Sequence, residues 1–162
     1  MSAALHASCA MLYDKGMRLL GIDYGEKRVG IAVSDEEQKY AFAKMVIPNT
    51  KKLFDEVYKC CLEYEVAGIV VGDSKDYEMK PNKIMEKVVP FVEELRLKTK
   101  LPVEMELEFM TSVAVEHFQH RRQGRDSGPY PREGSKELLD ASSAALILQS
   151  YLDKLANKKK VT

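Results

Sequence analysis

Residues 17–34 have the sequence MRLLGIDYGEKRVGIAVS, and this stretch decides the fold. Its first part, Met17–Asp23, is largely apolar and is typical of a β-strand that ends on an acidic residue. A second apolar run follows at Arg28–Ser34. The short link at Gly25–Lys27 favours a turn, so the two runs predict a β-hairpin.

The rest of the chain alternates between strand-like and helix-like segments. Strict alternation in Leu101–Glu108 predicts a half-exposed strand, with its three glutamates on the exposed face. After the hairpin, the patterns predict a strand at Tyr40–Ile47, a helix capped by Asn49 or Thr50, a fully buried strand at Ala67–Gly72, a helix after Asn82 that Pro90 kinks or splits, the strand Leu101–Glu108, and helices at Ser112–Gln123 and Leu138–Leu155.

This order of elements, β-β-β-α-β-α-β-α-α, predicts an α/β fold in which a five-stranded mixed sheet is flanked by helices. It is the order expected of the RNase H-like fold. We expect residues 1–16 to be an N-terminal tail, residues 17–156 to form the domain, and residues 157–162 to be a basic C-terminal tail. No apolar run approaches membrane-spanning length, so no membrane partner is expected.

The charges balance, with 25 Lys and Arg residues and 25 Asp and Glu residues. A net charge of zero argues against a protein that coats nucleic acid through bulk electrostatics. The distribution is uneven, because Arg121, Arg122, Arg125 and Arg132 lie in one short region with a single acid, Asp126. Adjacent cysteines rarely pair with each other. We therefore interpret the cysteines, at positions 9, 60 and 61, as reduced thiols in a cytoplasmic protein.

Three carboxylates stand where this architecture brings elements together. Asp23 ends the first strand, Glu108 ends the last strand, and Asp140 lies in the first turns of the final helix. Parallel strands that end at one edge of a sheet bring such residues close, and divalent cations keep converging carboxylates ionised. Mg²⁺ or Mn²⁺ prefers oxygen ligands, and two such ions can stabilise the attacking and leaving oxygens of a phosphodiester displacement. The pattern predicts a metal-dependent nuclease site.

Each acid also has a purely structural interpretation. Asp23 would cap the turn at Tyr24-Gly25, and Glu108 would be one of three glutamates facing solvent. Asp140 near a helix start would suit the helix macrodipole. Taken singly, these interpretations are as good as the metal site or better, and only the combination on one fold favours catalysis.

Four segments carry a resemblance to a known family. Residues 21–35, GIDYGEKRVGIAVSD, resemble the N-terminal signature of the YqgF/RuvX family, whose members are described as Holliday junction resolvases and as pre-16S rRNA nucleases. Val70–Gly72 resembles the family's next strand. Residues 108–112, EFMTS, resemble the second half of its Asp-Glu-Arg-Leu-Thr-Thr segment, and residues 140–149, DASSAALILQ, resemble its C-terminal helix.

The resemblance implies that Asp23, Glu108 and Asp140 are acidic site residues that bind metal. It implies a cytoplasmic nuclease that helps mature the 5′ end of the small-subunit rRNA, with pre-rRNA or branched DNA, and the small-subunit precursor, as partners. Lys27 and Arg28 belong to the same signature and are candidate phosphate contacts, although exposed hairpin charges are commonly just solvated. Arg121, Arg122 and Arg125 are further candidates for the nucleic-acid backbone, or else a polar helix end.

The sequence departs from the family pattern near two of the acids. Leu107 and Phe109 replace the acidic and basic neighbours of the central glutamate, and Asp73-Ser74 replaces the usual Leu-Pro after the buried strand. Asp73 is either an additional site acid or the start of a loop. Two hypotheses follow: an active metal-dependent nuclease, and a catalytically weak RNA- or ribosome-associated binding protein that keeps the fold. A sugar-kinase or actin-like ATPase is disfavoured, because such proteins need two domains of this type.

Overall fold

The computed structural model describes residues 16–74, 85–108 and 136–160, with the side chains of residues 73–74, 85, 107–108, 136–140 and 159–160 outside the description. Five strands form one sheet: β1 (Arg18–Tyr24), β2 (Arg28–Ser34), β3 (Ala41–Pro48), β4 (Val66–Ser74) and β5 (Val103–Glu108). The helices are α1 (Leu53–Glu63), α2 (Met85–Thr99) and α3 (Lys136–Lys160). The predicted helix at 112–123 lies outside the described residues.

The strand order is β3-β2-β1-β4-β5, which confirms the predicted mixed sheet. β1, β2 and β3 form an antiparallel meander, whereas β4 pairs parallel to β1 and β5 pairs parallel to β4. β1 is therefore a central strand, and a crossover helix precedes each of the two parallel partners. Because parallel strands end at the same edge, this topology places the carboxyl ends of β1, β4 and β5 together.

The two faces of the sheet have separate cores. Leu20, Ile22, Ile69 and Val71 belong to a cluster on the face that α1 and α2 cover. The opposite face is covered by α3, whose apolar residues pack with Leu19, Ala32 and Val70. Both faces of β1 and β4 are thus buried, which confirms the prediction that the apolar run ending at Gly72 is a strand covered on two sides.

Pro90 does not split α2, which was one of the two outcomes predicted for it. The helix is continuous from Met85 to Thr99 with Pro90 inside it. The ring removes one N–H, whose partner would be the carbonyl of Glu86 in the first turn, so little hydrogen bonding is lost. Buried residues before and after the proline keep the helix continuous: Val88, Phe91, Val92 and Leu95.

Neither Asn49 nor Thr50 is the N-cap of α1. The cap is Lys52, with no side-chain capping bond. Asn49 instead donates from Nδ2 to the Gly25 carbonyl at 2.8 Å. Its side chain therefore joins the β3–α1 connection to the β1–β2 turn.

Cys60 and Cys61 are buried in α1 and free, which confirms that they are not disulfide-bonded, while Cys9 lies outside the described residues. Burial raises the pKa of Cys61 to about 12, so it is a packing residue and not a reactive thiol. Within the described residues, no helix combines the length and apolarity required to cross a bilayer.

Candidate active site

The parallel strands bring Asp23 and Glu108 to one edge of the sheet. Ile22 is in register with Val71, and Gly72 is in register with Glu106, so Asp23, one residue beyond Ile22, is level with Glu106. Glu108 lies two residues further along β5, paired with Ser74 of β4. Adjacent strands are about 4.8 Å apart, so β1 and β5 are about 10 Å apart across the sheet.

Asp23 lies on the face of the sheet that α3 covers. Tyr24 packs on the other face, where its ring centroid is 4.7 Å from that of Phe91. Gly21 contacts α3, because a Cβ atom on it would lie 2.7 Å from Leu148 Cβ. Since successive strand residues alternate between faces, Asp23 shares the face of Gly21. Alternation along β5 likewise puts position 108 on the same face as Glu106, which contacts α3.

The direction of α3 carries position 140 toward the same edge. Ala144 lies against Gly21, whereas Gln149 bonds Ala41 and Lys39 at 2.9 Å each, near the amino end of β1. The helix therefore runs antiparallel to β1, and its N-terminal turns extend toward the end of β1 that carries Asp23. Asp140 lies one turn before Ala144 and on the same side of the helix.

The strands that carry Asp23 and Glu108 therefore end at one edge of the sheet, and the N-terminal turns of α3, which carry Asp140, extend toward that edge. Such a set offers carboxylate oxygens, the ligands that Mg²⁺ and Mn²⁺ prefer. Among the side chains that the structure describes, no group of three His, Cys, Asp or Glu residues could hold a metal ion. The metal site stays a prediction that depends on Glu108 and Asp140.

Asp73 belongs to a different set of positions. It pairs with Leu107 in the β4–β5 register, and alternation along β4 places it with Ile69 and Val71. Those residues are buried on the face that α1 and α2 cover. The backbone thus brings Asp73 to the same edge as the three acids but to the other face. We leave Asp73 out of the proposed metal ligands.

Glu106 is an acid that the sequence pattern misplaced. The alternation of β5 predicted an exposed side chain, but Glu106 is only 4% exposed because α3 covers this face. Its carboxylate accepts a hydrogen bond from the Ser150 hydroxyl at 2.9 Å and forms an ion pair with Lys154. We call these three residues the Glu106 clamp. It ties α3, which carries Asp140, to β5, which carries Glu108.

Unequal destabilisation is expected when the two ends of the clamp are changed. Lys154→Met should leave a buried carboxylate with only the Ser150 hydroxyl, at a cost of about 1–3 kcal/mol. Glu106→Gln should cost less, because an amide keeps the serine bond and the Lys154 side chain, 53% exposed, can return to water. Urea unfolding of both single variants and the double variant measures this. Equal stability of the two single variants, or no recovery in the double variant, would contradict the clamp.

The turn after Asp23 has a fixed backbone conformation and carries Lys27 and Arg28. A Cβ atom at Gly25 would lie 2.5 Å from the Arg28 carbonyl oxygen, so this tight turn requires glycine. The backbone N–H of Asn49 donates to the Lys27 carbonyl at 2.9 Å. Lys27 is exposed and Arg28 is half-buried. Both predicted phosphate contacts thus lie beside the acidic edge, whereas Arg121, Arg122 and Arg125 lie outside the described residues.

A pocket of about 590 Å³ lies at the opposite edge of the sheet. Its carboxylates already have partners. Glu36 pairs with Arg18 at 2.8 Å, and Asp35 accepts the N–H groups of Lys39 and Tyr40 at 2.7 and 3.0 Å. The pocket is separated from Asp23 by the length of β1, so we do not assign the chemistry to it.

The chain is similar to known proteins over most of its length. Residues 17–154 match the family described as "RuvX: Holliday junction resolvase". The chain belongs to this family. A RuvX relative from Phocaeicola vulgatus, named "Putative pre-16S rRNA nuclease", is 38% identical over 138 residues, covering 84% of this chain and 95% of the relative. One from Thermoanaerobacter pseudethanolicus with the same name is 33% identical over 144 residues, covering 88% and 100%.

Solved structures share the fold at low sequence identity. RuvC of T. thermophilus, in complex with a Holliday junction substrate, has a TM-score of 0.54 at 16% identity and covers 84% of this chain and 93% of its own. The fowlpox virus resolvase, with Holliday junction DNA, has a TM-score of 0.57 at 14% identity, covering 86% and 99%. These likenesses confirm the RNase H-like fold. The RuvX match and the named relatives place the chain among nucleases, which hydrolyse phosphodiester bonds.

Proposed function

We propose that this protein is a divalent-metal-dependent nuclease that cleaves structured nucleic acid during 5′-end maturation of pre-16S rRNA. The observation that supports the proposal is the parallel pairing of β1, β4 and β5, since the strands that carry Asp23 and Glu108 then end at the same edge of the sheet. A purely structural role for each acid would not require that shared edge.

In this proposal the protein's own residues bind and orient. Asp23, Glu108 and Asp140 hold Mg²⁺ or Mn²⁺ with carboxylate oxygens. When bound, such an ion lowers the pKa of a coordinated water and stabilises charge on the phosphoryl oxygens. Lys27 and Arg28 contact a phosphate next to the scissile one, and Arg121, Arg122 and Arg125 contact the backbone further away.

The names of the relatives favour RNA over DNA as the substrate. Proteins that are 31–38% identical and nearly fully covered bear the name "Putative pre-16S rRNA nuclease". The junction-bound resolvases are at most 16% identical here and support the fold alone. We therefore rank a precursor of the small-subunit rRNA, in the cytoplasm, above branched DNA.

A catalytically weak RNA- or ribosome-associated binding protein is the alternative. Leu107 and Phe109 favour it, because they flank Glu108 where the resembled pattern has an acid and an arginine. Loss of a guanidinium removes a bidentate phosphate contact. Since the change leaves all three acids in place, we keep the nuclease as the main proposal.

Cleavage of structured RNA by the purified protein is the direct test. We expect cutting of a labelled precursor 5′ leader with Mg²⁺ or Mn²⁺, and none with Ca²⁺ or a chelator, because the carboxylates need an ion of suitable size and geometry. A four-way DNA junction and an unstructured RNA serve as comparison substrates. If neither Mg²⁺ nor Mn²⁺ supports cutting of any substrate, while the leader still binds, the binding-protein hypothesis replaces this one.

A further inference from the structure

Three exposed lysines lie on two neighbouring turns beside the acidic edge. Lys27 is on the β1–β2 turn, and Lys51 and Lys52 are on the connection from β3 to α1. We call them the lysine ridge. Lys27 stands four residues after Asp23, so the ridge begins at the edge of the sheet where the three acids meet. It extends toward β3, away from β5.

The two turns form one surface. Asn49 bonds the Lys27 carbonyl through its backbone N–H at 2.9 Å and the Gly25 carbonyl through its side chain at 2.8 Å. Arg28 of β2 is also in register with Pro48 of β3. The backbone bearing the three lysines is therefore fixed, so only the lysine side chains need to become ordered when a ligand binds.

Nearby acids leave the ridge positive. Glu26 pairs with Lys87 at 2.8 Å, and this contact lowers the pKa of Glu26, so its charge is matched by another lysine. Glu56 pairs with Lys59 at 2.9 Å. Asp55, in the first turn of α1, and Asp23, four residues before Lys27, are the remaining acids close in sequence. Lys27, Lys51 and Lys52 form no ion pair with any residue in the described part of the chain.

The width of the ridge suits a polyanion better than a small anion. β1 and β3 are separated by two strand spacings, about 10 Å. A span of that size exceeds a single phosphate group, so lysines spread along it can contact more than one phosphate of a nucleic-acid backbone. Such contacts require no base-reading geometry.

We propose that the lysine ridge binds the phosphate backbone of nucleic acid on the β3 side of the acidic edge. The inference rests on the proposed function for its ligand class, but it concerns binding and not the chemical step. It adds Lys51 and Lys52 to the contacts expected from the hairpin alone. It also gives the substrate a direction, from the acids across β2 toward the start of α1.

Salt-dependent binding tests the ridge. The triple variant Lys27→Gln, Lys51→Gln, Lys52→Gln should flatten the slope of log K against log salt by about 2–3, since each phosphate contact contributes about 0.7–0.9. It should bind on the order of 100-fold more weakly at 0.1 M salt, because the slope change acts over a decade below 1 M. Binding is measured in the presence of a chelator, which prevents metal-dependent cleavage, with a labelled RNA stem-loop and a four-way DNA junction as probes.

A second triple variant controls for bulk charge. Lys39→Gln, Lys44→Gln, Lys100→Gln removes the same charge from exposed lysines away from the two turns. We expect it to keep the wild-type slope, and both variants to keep the wild-type melting temperature within a few degrees. Equal loss of affinity in the two variants, an unchanged slope in the ridge variant, or absence of binding by the wild type would each overturn the ridge.

The outcomes separate the ridge from the nuclease proposal. If the wild-type protein binds through the ridge but cuts nothing, the ridge proposal is supported and the nuclease proposal is contradicted. If the wild-type protein cuts and the ridge variant binds as tightly as wild type, the nuclease proposal is supported and the ridge proposal is contradicted.

Discussion

Asp23→Asn is expected to abolish cleavage while leaving nucleic-acid binding intact. Asparagine has nearly the same shape as aspartate but offers a neutral amide oxygen in place of a charged one. Loss of one group that stabilises transition-state charge typically costs about 100- to 1,000-fold in rate, and we expect a loss of at least that size. Binding should survive or tighten, because the substitution removes a negative charge beside the phosphate path.

The measurement pairs single-turnover cleavage of the RNA leader with binding of the same RNA. Glu94→Gln is the matched control, since it removes one negative charge from an exposed pair with Lys98 on α2. The control should cut at the wild-type rate. If Asp23→Asn cuts as fast as wild type, the activity belongs to a contaminant or to another site.

The sequence predicts the sheet well because the deciding information is local. The hairpin, the buried run of β4 and the alternation of β5 each follow from short windows of apolar and polar residues. The direction of β4 and β5 then follows from connection rules, since strands joined through a crossover helix commonly run parallel. The shared edge of Asp23 and Glu108 is a consequence of that direction, so it too was predictable.

The features that could not be predicted from the sequence depend on contacts between residues far apart along the chain. Glu106 belongs to an alternating strand with glutamates on one side, and only the packing of α3, more than 40 residues later, buries it. Asn49 is a good helix cap by composition, but it bonds the Gly25 carbonyl instead. In both cases a partner far along the chain decides the role of a polar residue, and no local window contains that partner.

The largest effect on the fold is expected at Gly21, where β1 and α3 approach most closely. A Cβ atom there would lie 2.7 Å from Leu148 Cβ and 2.9 Å from the Ala144 carbonyl oxygen. Neither atom is the end of a flexible side chain, so the helix itself must move. Overpacking of this kind costs about 1–3 kcal/mol, and at about 2–4 °C per kcal/mol we expect Gly21→Ala to lower the melting temperature by roughly 3–10 °C.

The sign of the change identifies the cause. Alanine in a strand is ordinarily better than glycine by about 0.5–1 kcal/mol, so without the helix contact Gly21→Ala would stabilise the protein. Adding Leu148→Ala should not rescue the variant, because alanine keeps the Cβ atom that clashes. A Gly21→Ala protein as stable as wild type would mean that α3 does not pack this closely on β1.

Displacement of α3 should also lower the rate of cleavage. Gly21 is two residues from Asp23, and Ala144 is one helical turn from Asp140, so the contact that positions the helix is close along the chain to both acids. A shift of about 1 Å at a catalytic group can cost about 100-fold in rate. We therefore expect Gly21→Ala, assayed well below its melting temperature, to bind RNA like wild type and to cut it far more slowly. If a folded but destabilised Gly21→Ala protein cuts RNA at the wild-type rate, Asp140 is not part of the catalytic site. The site would then consist of Asp23 and Glu108, the acids on the strands.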